Sequence, residues 1–397
     1  MKPGKESRQK AERPITLKAV AQHVQLSPGT VSAVINDSPA AKHIPPHTRD
    51  RILTAVRELN YQPNFFARTL RKKRTYTIGI IAHEIGDAYS SPVIAGVENF
   101  LRQRDYFFLT GIHRHDPQLL ENYTSLLLQR GVEGFITIDL NLPHRLALPT
   151  VALAGHRHHP GVTNIVLDHH KAAWVALRHL SDLGHRRIAF MRGNPASSDS
   201  VDRWEAICEV AQEFSIEMDP QLTVQIESQE SSPELGYPYT KNLLARNHPF
   251  TALFAYNDIS AIGAIRAIRE AGLQVPRDVS VVGFDDIEGA AFHNPSLTTV
   301  RQPLRQMGEV AAKTLLARIE DNQDYPEEIA IQPELVVRES SARKPDSPRA
   351  ARSWDRGVIS RSRKECSCSG RNFASLSRQV VSSIRISSAV AWSLYRL

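Results

Sequence analysis

The stretch Leu17–Asn36, LKAVAQHVQLSPGTVSAVIN, decides how the first part of this 397-residue chain is read. Apolar residues fall at Leu17, Val20, Ala21 and Val24, and again at Val31, Val34 and Ile35, both at helical spacing. Between them, Leu26-Ser27-Pro28-Gly29 interrupts the period. Ser27 stands where an N-cap oxygen is wanted. Pro28 takes the first helical position, where its missing N–H costs nothing. Two short helices joined by a tight turn form the unit that lays one helix in a DNA groove. The alternative is an ordinary helical hairpin inside a larger core.

Working outward, Asp37 to Pro46 is rich in turn residues. His47–Asn60, HTRDRILTAVRELN, then predicts a third amphipathic helix with the apolar stripe Ile52, Leu53, Val56 and Leu59. Residues 15–63 thus form a small helical module of marginal size. Tyr61-Gln62-Pro63 ends it, and residues 64–75 read as a short helical linker. Residues 1–14 are polar and basic with no apolar run, so they are expected to be a flexible arm rather than a secretory signal.

Charge supports this division. Residues 1–76 carry a net +10, residues 77–342 a net −12 and residues 343–397 a net +9, within an overall +7. A basic head on an acidic body suits a nucleic-acid-binding module joined to a soluble domain. Three cysteines give no disulfide framework and suit a reducing compartment. No apolar run approaches the ~18 residues that span a bilayer. The expected location is the bacterial cytoplasm, in association with the nucleoid, with no membrane partner.

From Tyr76 the texture changes to short apolar strands alternating with helices. Strands are expected at Tyr76–Ala82, Tyr106–Thr110, Gly134–Ile138, Thr150–Leu153 and Asn164–Leu167, with helices at Ser91–Arg104 and Gln118–Gln129. After a helix over Lys171–Leu183, a second series runs through strands at Arg187–Met191, Thr223–Ile226, Ala252–Ala255 and Val279–Phe284. Its helices are Arg203–Phe214, Tyr239–Arg246 and Ile259–Ala271. A last strand is expected over Ile329–Val337. This alternation implies two doubly wound parallel sheets with a cleft between them, faced by strand C-termini. The expected lobes are 76–167 with 300–325, and 168–299 with 326–341.

Several motifs, in order, carry a resemblance. They are Leu26–Asn36, then Asn60-Tyr61-Gln62-Pro63-Asn64 with Ala67 and Leu70, Leu183-Gly184-His185-Arg186-Arg187-Ile188, Ala255-Tyr256-Asn257-Asp258, Val275–Asp286, and Pro295–Val300. Over residues 15–341 the chain resembles the lactose-repressor/galactose-repressor family of bacterial transcription regulators. The resemblance implies a helix-turn-helix headpiece on a two-lobed domain like that of periplasmic binding proteins. It further implies a homodimer that binds a pseudo-palindromic operator as a repressor, under control of a small effector, a sugar or sugar derivative, in the interlobe cleft.

By the same resemblance the recognition helix is Pro28–Asn36. Ser27, Pro28, Gly29, Thr30, Ser32, Ala33 and Asn36 are its DNA-facing candidates. Pro28, Gly29 and Ala33 replace larger polar residues common in the family, so direct base readout is thin and Ala33 is left to touch a thymine methyl. Asn64–Lys72 corresponds to the hinge helix, with Asn64 capping it, Ala67 allowing close approach, Leu70 wedging between base pairs and Arg71 serving a phosphate. A frayed linker is the other reading of Leu70. Arg203, Asn257 and Asp285 correspond to effector contacts, with Asp87 and Tyr89 as further cleft residues. Their chemistry fits paired hydroxyls. Asn257 and Asp285 also suit helix or turn caps, and Tyr256 and Phe284 suit either a sugar face or the core.

Other constellations lead nowhere. His156, His158, His159, His169 and His170 lack a metal-ligand spacing, and Cys366-Ser367-Cys368 is incomplete, so no metal or cofactor is expected. No nucleophile-and-base set or phosphate loop is present, so no enzyme is expected. Residues 342–397 are Ser- and Arg-rich. They are expected to be disordered, a readthrough or frame-shifted extension, with a basic tail aiding DNA affinity as the alternative. The rival functions are a solute-binding protein, which has no use for residues 15–75, and a sugar-processing enzyme.

Overall fold

In a computed structural model of the chain, the structure describes residues 15–62, 69, 73–140, 142–155, 158–227, 232–321 and 325–344. The chain divides into two units, Met1–Tyr76 and Thr77–Leu397. The Asn64, Ala67, Leu70 and Arg71 expectations, His156, and the 345–397 tail lie outside the described residues.

The first unit is helical: α1 (Leu17–His23), α2 (Pro28–Ile35) and α3 (Pro46–Glu58). Ser27 caps α2, its Oγ accepting from the Thr30 N–H at 3.0 Å, with Pro28 opening the helix. Val20, Ala21, Val24, Val31, Val34, Ile52 and Ala55 form the buried core. One expected core residue differs: Leu53 is 43% exposed and Ala55 is buried instead. The stripe therefore runs 52, 55, 56, 59, which is the truer helical period.

The second unit holds two six-stranded sheets. The first has the order β11-β5-β4-β3-β1-β2, all parallel, from β1 (Thr77–Ala82), β2 (Phe107–Ile112), β3 (Phe135–Ile138), β4 (Thr150–Leu153), β5 (Val162–Leu167) and β11 (Glu328–Ile331). The second has the order β12-β10-β9-β8-β6-β7, from β6 (Ile188–Arg192), β7 (Thr223–Gln225), β8 (Ala252–Phe254), β9 (Ser280–Asp285), β10 (Thr298–Arg301) and β12 (Glu334–Val336). Here β12 runs antiparallel to β10, so this sheet departs from the all-parallel expectation at its edge. In both sheets the order reverses beside the first strand, which opens a crevice at the strand C-termini.

Helices cover these sheets: α4 (Ser90–Arg102), α5 (Pro117–Gln129), α6 (His169–Asp182), α7 (Ser198–Glu213), α8 (Gly236–Ala245), α9 (Asp258–Glu270), the short α10 (Glu288–Phe292) and α11 (Leu304–Glu320). Helices α4 and α11 pack backbone to backbone. A Cβ on Gly96 would sit 2.0 Å from the Arg305 carbonyl oxygen, and one on Gly308 2.1 Å from that of Val93.

The expected single strand Ile329–Val337 is two strands in different sheets, separated by Gln332-Pro333. Pro333 has no N–H to donate to a ladder, so the strand stops there and the chain changes sheets. The expected lobe boundaries shift accordingly. Strand β10 belongs to the second sheet and β11 to the first, so the crossings lie at Asp168, Gln302-Pro303 and Gln332-Pro333.

Candidate functional site

A cavity of about 820 Å³, part of it open solvent, lies at the strand ends of the second unit. It is lined from the first lobe by His83, Asp87, Tyr89, Ser90, His115 and Asp139, and from the second by Asn194, Ser197, Asp199, Arg203, Ile226, Leu235, Tyr256, Asn257 and Asp285. All five effector candidates read from the sequence are brought together here. The lining is mostly polar and charged, with Ile226 and Leu235 as its aliphatic side chains.

Arg203 sits at the middle. Its Nη2 pairs with Asp199 Oδ2 one turn earlier on α7, and its Nη1 donates to the Tyr256 carbonyl at 2.8 Å. The guanidinium lies 3.7 Å from the Phe284 ring centroid and 4.9 Å from that of Tyr256. Burial works against the Arg203 charge, but the Asp199 carboxylate outweighs it and holds the pKa above the ordinary arginine value. Asp199 also meets His169 Nε2 at 2.8 Å. Phe284, 1% exposed, is a floor for Arg203, and only Tyr256 of the two aromatics lines the cavity. Gly193 makes room for that ring: a Cβ there would lie 2.1 Å from it.

Asn257 caps α9, its Oδ1 accepting from the Ser260 N–H at 2.9 Å in a reciprocal capping box. Capping leaves its amide nitrogen available at the pocket wall. Asp285, at the end of β9 with φ 108°, accepts from Gln302 Nε2 at 2.6 Å. Burial pushes its carboxyl up to about 7, against the pull of Arg203. Asp87 lies in the turn just before α4, its Oδ1 accepting from the Tyr89 N–H at 2.7 Å and from the Ser90 N–H. Asp87 Oδ2, Tyr89 Oη and Arg203 Nε are buried with no hydrogen-bond partner among the described residues.

Sequence reasoning missed Asp139, Asp199, His83, His115 and Ser197. Asp139 follows β3 and accepts from Ser197 Oγ of the other lobe at 2.9 Å. Burial, with the Asp199 charge, raises its pKa to about 6. The signal for Asp139 and His83 was position, each one residue beyond a strand of the first sheet. For Asp199 the signal was its i, i+4 spacing to Arg203, obscured because α7 starts a turn earlier than expected. His113 and His115 are both lowered to about 4, chiefly by burial, with His115 and His83 respectively adding to it.

In the headpiece, Ser27, Pro28 and Gly29 are exposed at the start of α2, while Thr30, Ser32 and Ala33 are half-buried. Asn36 folds back, its Nδ2 donating to the Ser32 carbonyl at 2.7 Å, and serves as the C-cap of α2. A Cβ on Gly29 would meet only Ser27 Oγ, at 3.7 Å, so the helix start is unobstructed. The histidines first suspected of metal binding scatter instead. His158 faces Glu328, His159 approaches the Leu142 carbonyl, His169 meets Asp199 and His170 meets Glu213.

Residues 16–64 match the bacterial regulatory proteins of the lacI family, and residues 177–341 match a periplasmic binding protein-like domain. The HTH-type transcriptional repressor PurR of Klebsiella pneumoniae (strain 342) is 31% identical over 336 residues, which span 82% of this chain and 97% of that protein. The chain belongs to the lacI family. A PurR repressor of Escherichia fergusonii is 32% identical over 339 residues, with the same coverage of 82% and 97%. Among solved structures, the lac repressor dimer bound to operator and the anti-inducer ONPF superposes with a TM-score of 0.74 at 26% identity, covering 83% of this chain and 100% of that one. The transcriptional regulator CelR in complex with cellobiose gives 0.62 at 28% identity, with coverage of 83% and 100%. As a lacI-family member the protein is a DNA-binding transcriptional repressor with an effector-binding domain, and not an enzyme. No helix among the described residues is long and apolar enough to cross a membrane.

Proposed function

We propose that this repressor binds a pseudo-palindromic operator as a homodimer, in the cytoplasm, and that a sugar or sugar derivative in the cleft sets its affinity for that operator. The observation that carries the effector reading is the trio of buried polar atoms without partners, Asp87 Oδ2, Tyr89 Oη and Arg203 Nε, in residues that all line one cavity. Leaving such groups unpaired costs free energy that a ligand rich in hydroxyls recovers. In this reading Asp285 and Asp87 accept from hydroxyls, Asn257 donates and accepts, and Arg203 donates. Tyr256 offers an edge to the sugar while Arg203 holds its face.

On the DNA side, α2 enters the major groove with Ser27, Thr30 and Ser32 toward phosphates and base edges, Ala33 toward a methyl group and Asn36 holding the helix end. Asn64, Ala67, Leu70 and Arg71 serve the minor groove at the dimer axis, where bending supplies the selectivity that short side chains on α2 do not. Operator sequences selected from a random DNA pool are expected to show two inverted half-sites. Addition of the cognate sugar from a carbohydrate panel should change their affinity. An effector that changes affinity 100-fold supplies about 2.7 kcal/mol of coupling. Selection of sequences without inverted symmetry would reject the dimer reading. A panel with no effect on DNA affinity and no thermal stabilisation would reject the sugar reading.

A further inference from the structure

Three imidazoles meet at the C-terminal edge of the first sheet. His83 follows β1, and His113 and His115 follow β2, with one ring nitrogen from each lying within 4.8 Å of the others. The His83 and His115 rings stack with centroids 4.3 Å apart, and His113 stands edge-on to His115 at 5.1 Å. Asp139, beyond the neighbouring β3, brings Oδ2 to 3.9 Å from His115 Nε2. His83 Nδ1 is buried with no hydrogen-bond partner among the described residues. His115 holds a left-handed backbone conformation, φ 55°.

We propose that His83, His113 and His115, with Asp139 as fourth ligand, bind a divalent transition-metal ion on the first lobe's wall of the cleft. Three imidazoles and one carboxylate are the donor set of zinc, cobalt(II) or nickel(II) rather than of calcium or magnesium. His113 is already set up for the task. Its Nε2 points at the Ile138 carbonyl at 3.3 Å, the backbone support that fixes a ligating tautomer and leaves the lone pair on Nδ1. That lone pair now accepts from the His115 N–H at 3.0 Å, a bond the ion would displace. Ligands of a tetrahedral zinc lie about 3.3 Å apart, so the cluster must draw in and the stacked His83 and His115 rings must turn about their terminal torsions.

The placement gives the ion a consequence. His83, His115 and Asp139 all line the effector cavity, and Asp139 is bonded across the cleft to Ser197. An ion there is within reach of an effector oxygen and shares a ligand with the contact between lobes. The inference stands independently of which effector the cleft takes, and it departs from the metal-free expectation drawn from the sequence.

The test is a cobalt(II) titration of the full-length protein without a histidine tag, after chelator dialysis, followed by visible absorption. The expected result is one ion per chain with the strong bands of four-coordinate cobalt. His83→Ala and His115→Ala, both half-buried positions, should each weaken binding about tenfold or more. His158→Ala, at an exposed site beside Glu328, should leave it unchanged. Circular dichroism confirms that each variant is folded. Binding well below one ion per chain, or equal binding in all three variants, would overturn the proposal and leave the cluster a stacked, metal-free wall.

Discussion

Arg203 is ion-paired to Asp199 on the preceding turn of the same helix, and each side chain is only 6% exposed. The charge that the resemblance assigned to gripping an effector is thus already balanced inside the protein. In the proposed effector role Arg203 would bring direction rather than net charge, since its guanidinium is fixed by Asp199, the Tyr256 carbonyl and the Phe284 ring. Fixed donors lose little freedom on binding.

Arg203→Ala breaks the ion pair that Arg203 makes with the buried Asp199. Breaking a buried pair in this way typically costs about 3–5 kcal/mol. Urea unfolding of the variant should show a loss of that order, and Asp199→Ala combined with Arg203→Ala should lose less than the sum of the two single changes. Simple additivity would show that the pair does not act as a unit.

Asp285 gives stability a pH dependence whose sign follows from its raised pKa. Above the ordinary carboxylate value and below about 7, the folded protein holds a proton that the unfolded chain releases. Stability therefore falls as pH rises through this window, and Asp139, raised to about 6, adds to the same trend. Asp285→Asn keeps an oxygen for Gln302 and a residue tolerant of positive φ, but removes the ionisation. It should match the wild type near pH 3.5, at the foot of this window, and exceed it at pH 8 by on the order of 1–3 kcal/mol in denaturant midpoints converted to free energy. Parallel pH profiles for the two proteins would contradict the assignment.

Ser27→Ala removes the oxygen that accepts the Thr30 N–H. The loss expected for such a cap is about 0.5–2 kcal/mol. It should register as faster amide hydrogen exchange in residues 28–35, with exchange in the second unit unchanged.

Leu70→Ala tests the wedge. Specific operator binding should weaken by about 1–3 kcal/mol, while binding to random DNA stays constant. Equal losses on both duplexes would reduce Leu70 to a linker residue.

The headpiece was legible in the sequence because its signals are local: a helical period, a Ser-Pro start and a turn between them. The sheets were legible because buried parallel strands are short apolar runs between helices. Strand β12 was not, since Glu334–Val336 and Glu328–Ile331 read as one polar-apolar stretch and only Pro333 marks the change of sheet. The cleft was half legible. Asn257 and Asp285 sit in recognisable motifs and Arg203 opens an expected helix, whereas His83, His115 and Asp139 become neighbours only because β1, β2 and β3 lie side by side. Such adjacency across strands leaves no pattern along the chain.

The chain passes between the two lobes three times, at Asp168, at Gln302-Pro303 and at Gln332-Pro333, each within one or two residues. Gln332 Nε2 donates to Asp168 Oδ2 at 3.2 Å, so two of these straps are tied to one another, and Gln302 is fastened to Asp285 in the cleft. Short tethers, two of them tied to one another, resist twisting more than folding about the line that joins them. Any relative motion of the lobes would then swing about these straps as covers about a spine, and in the proposed role of Asp285 a bound molecule would pull on that spine through Gln302.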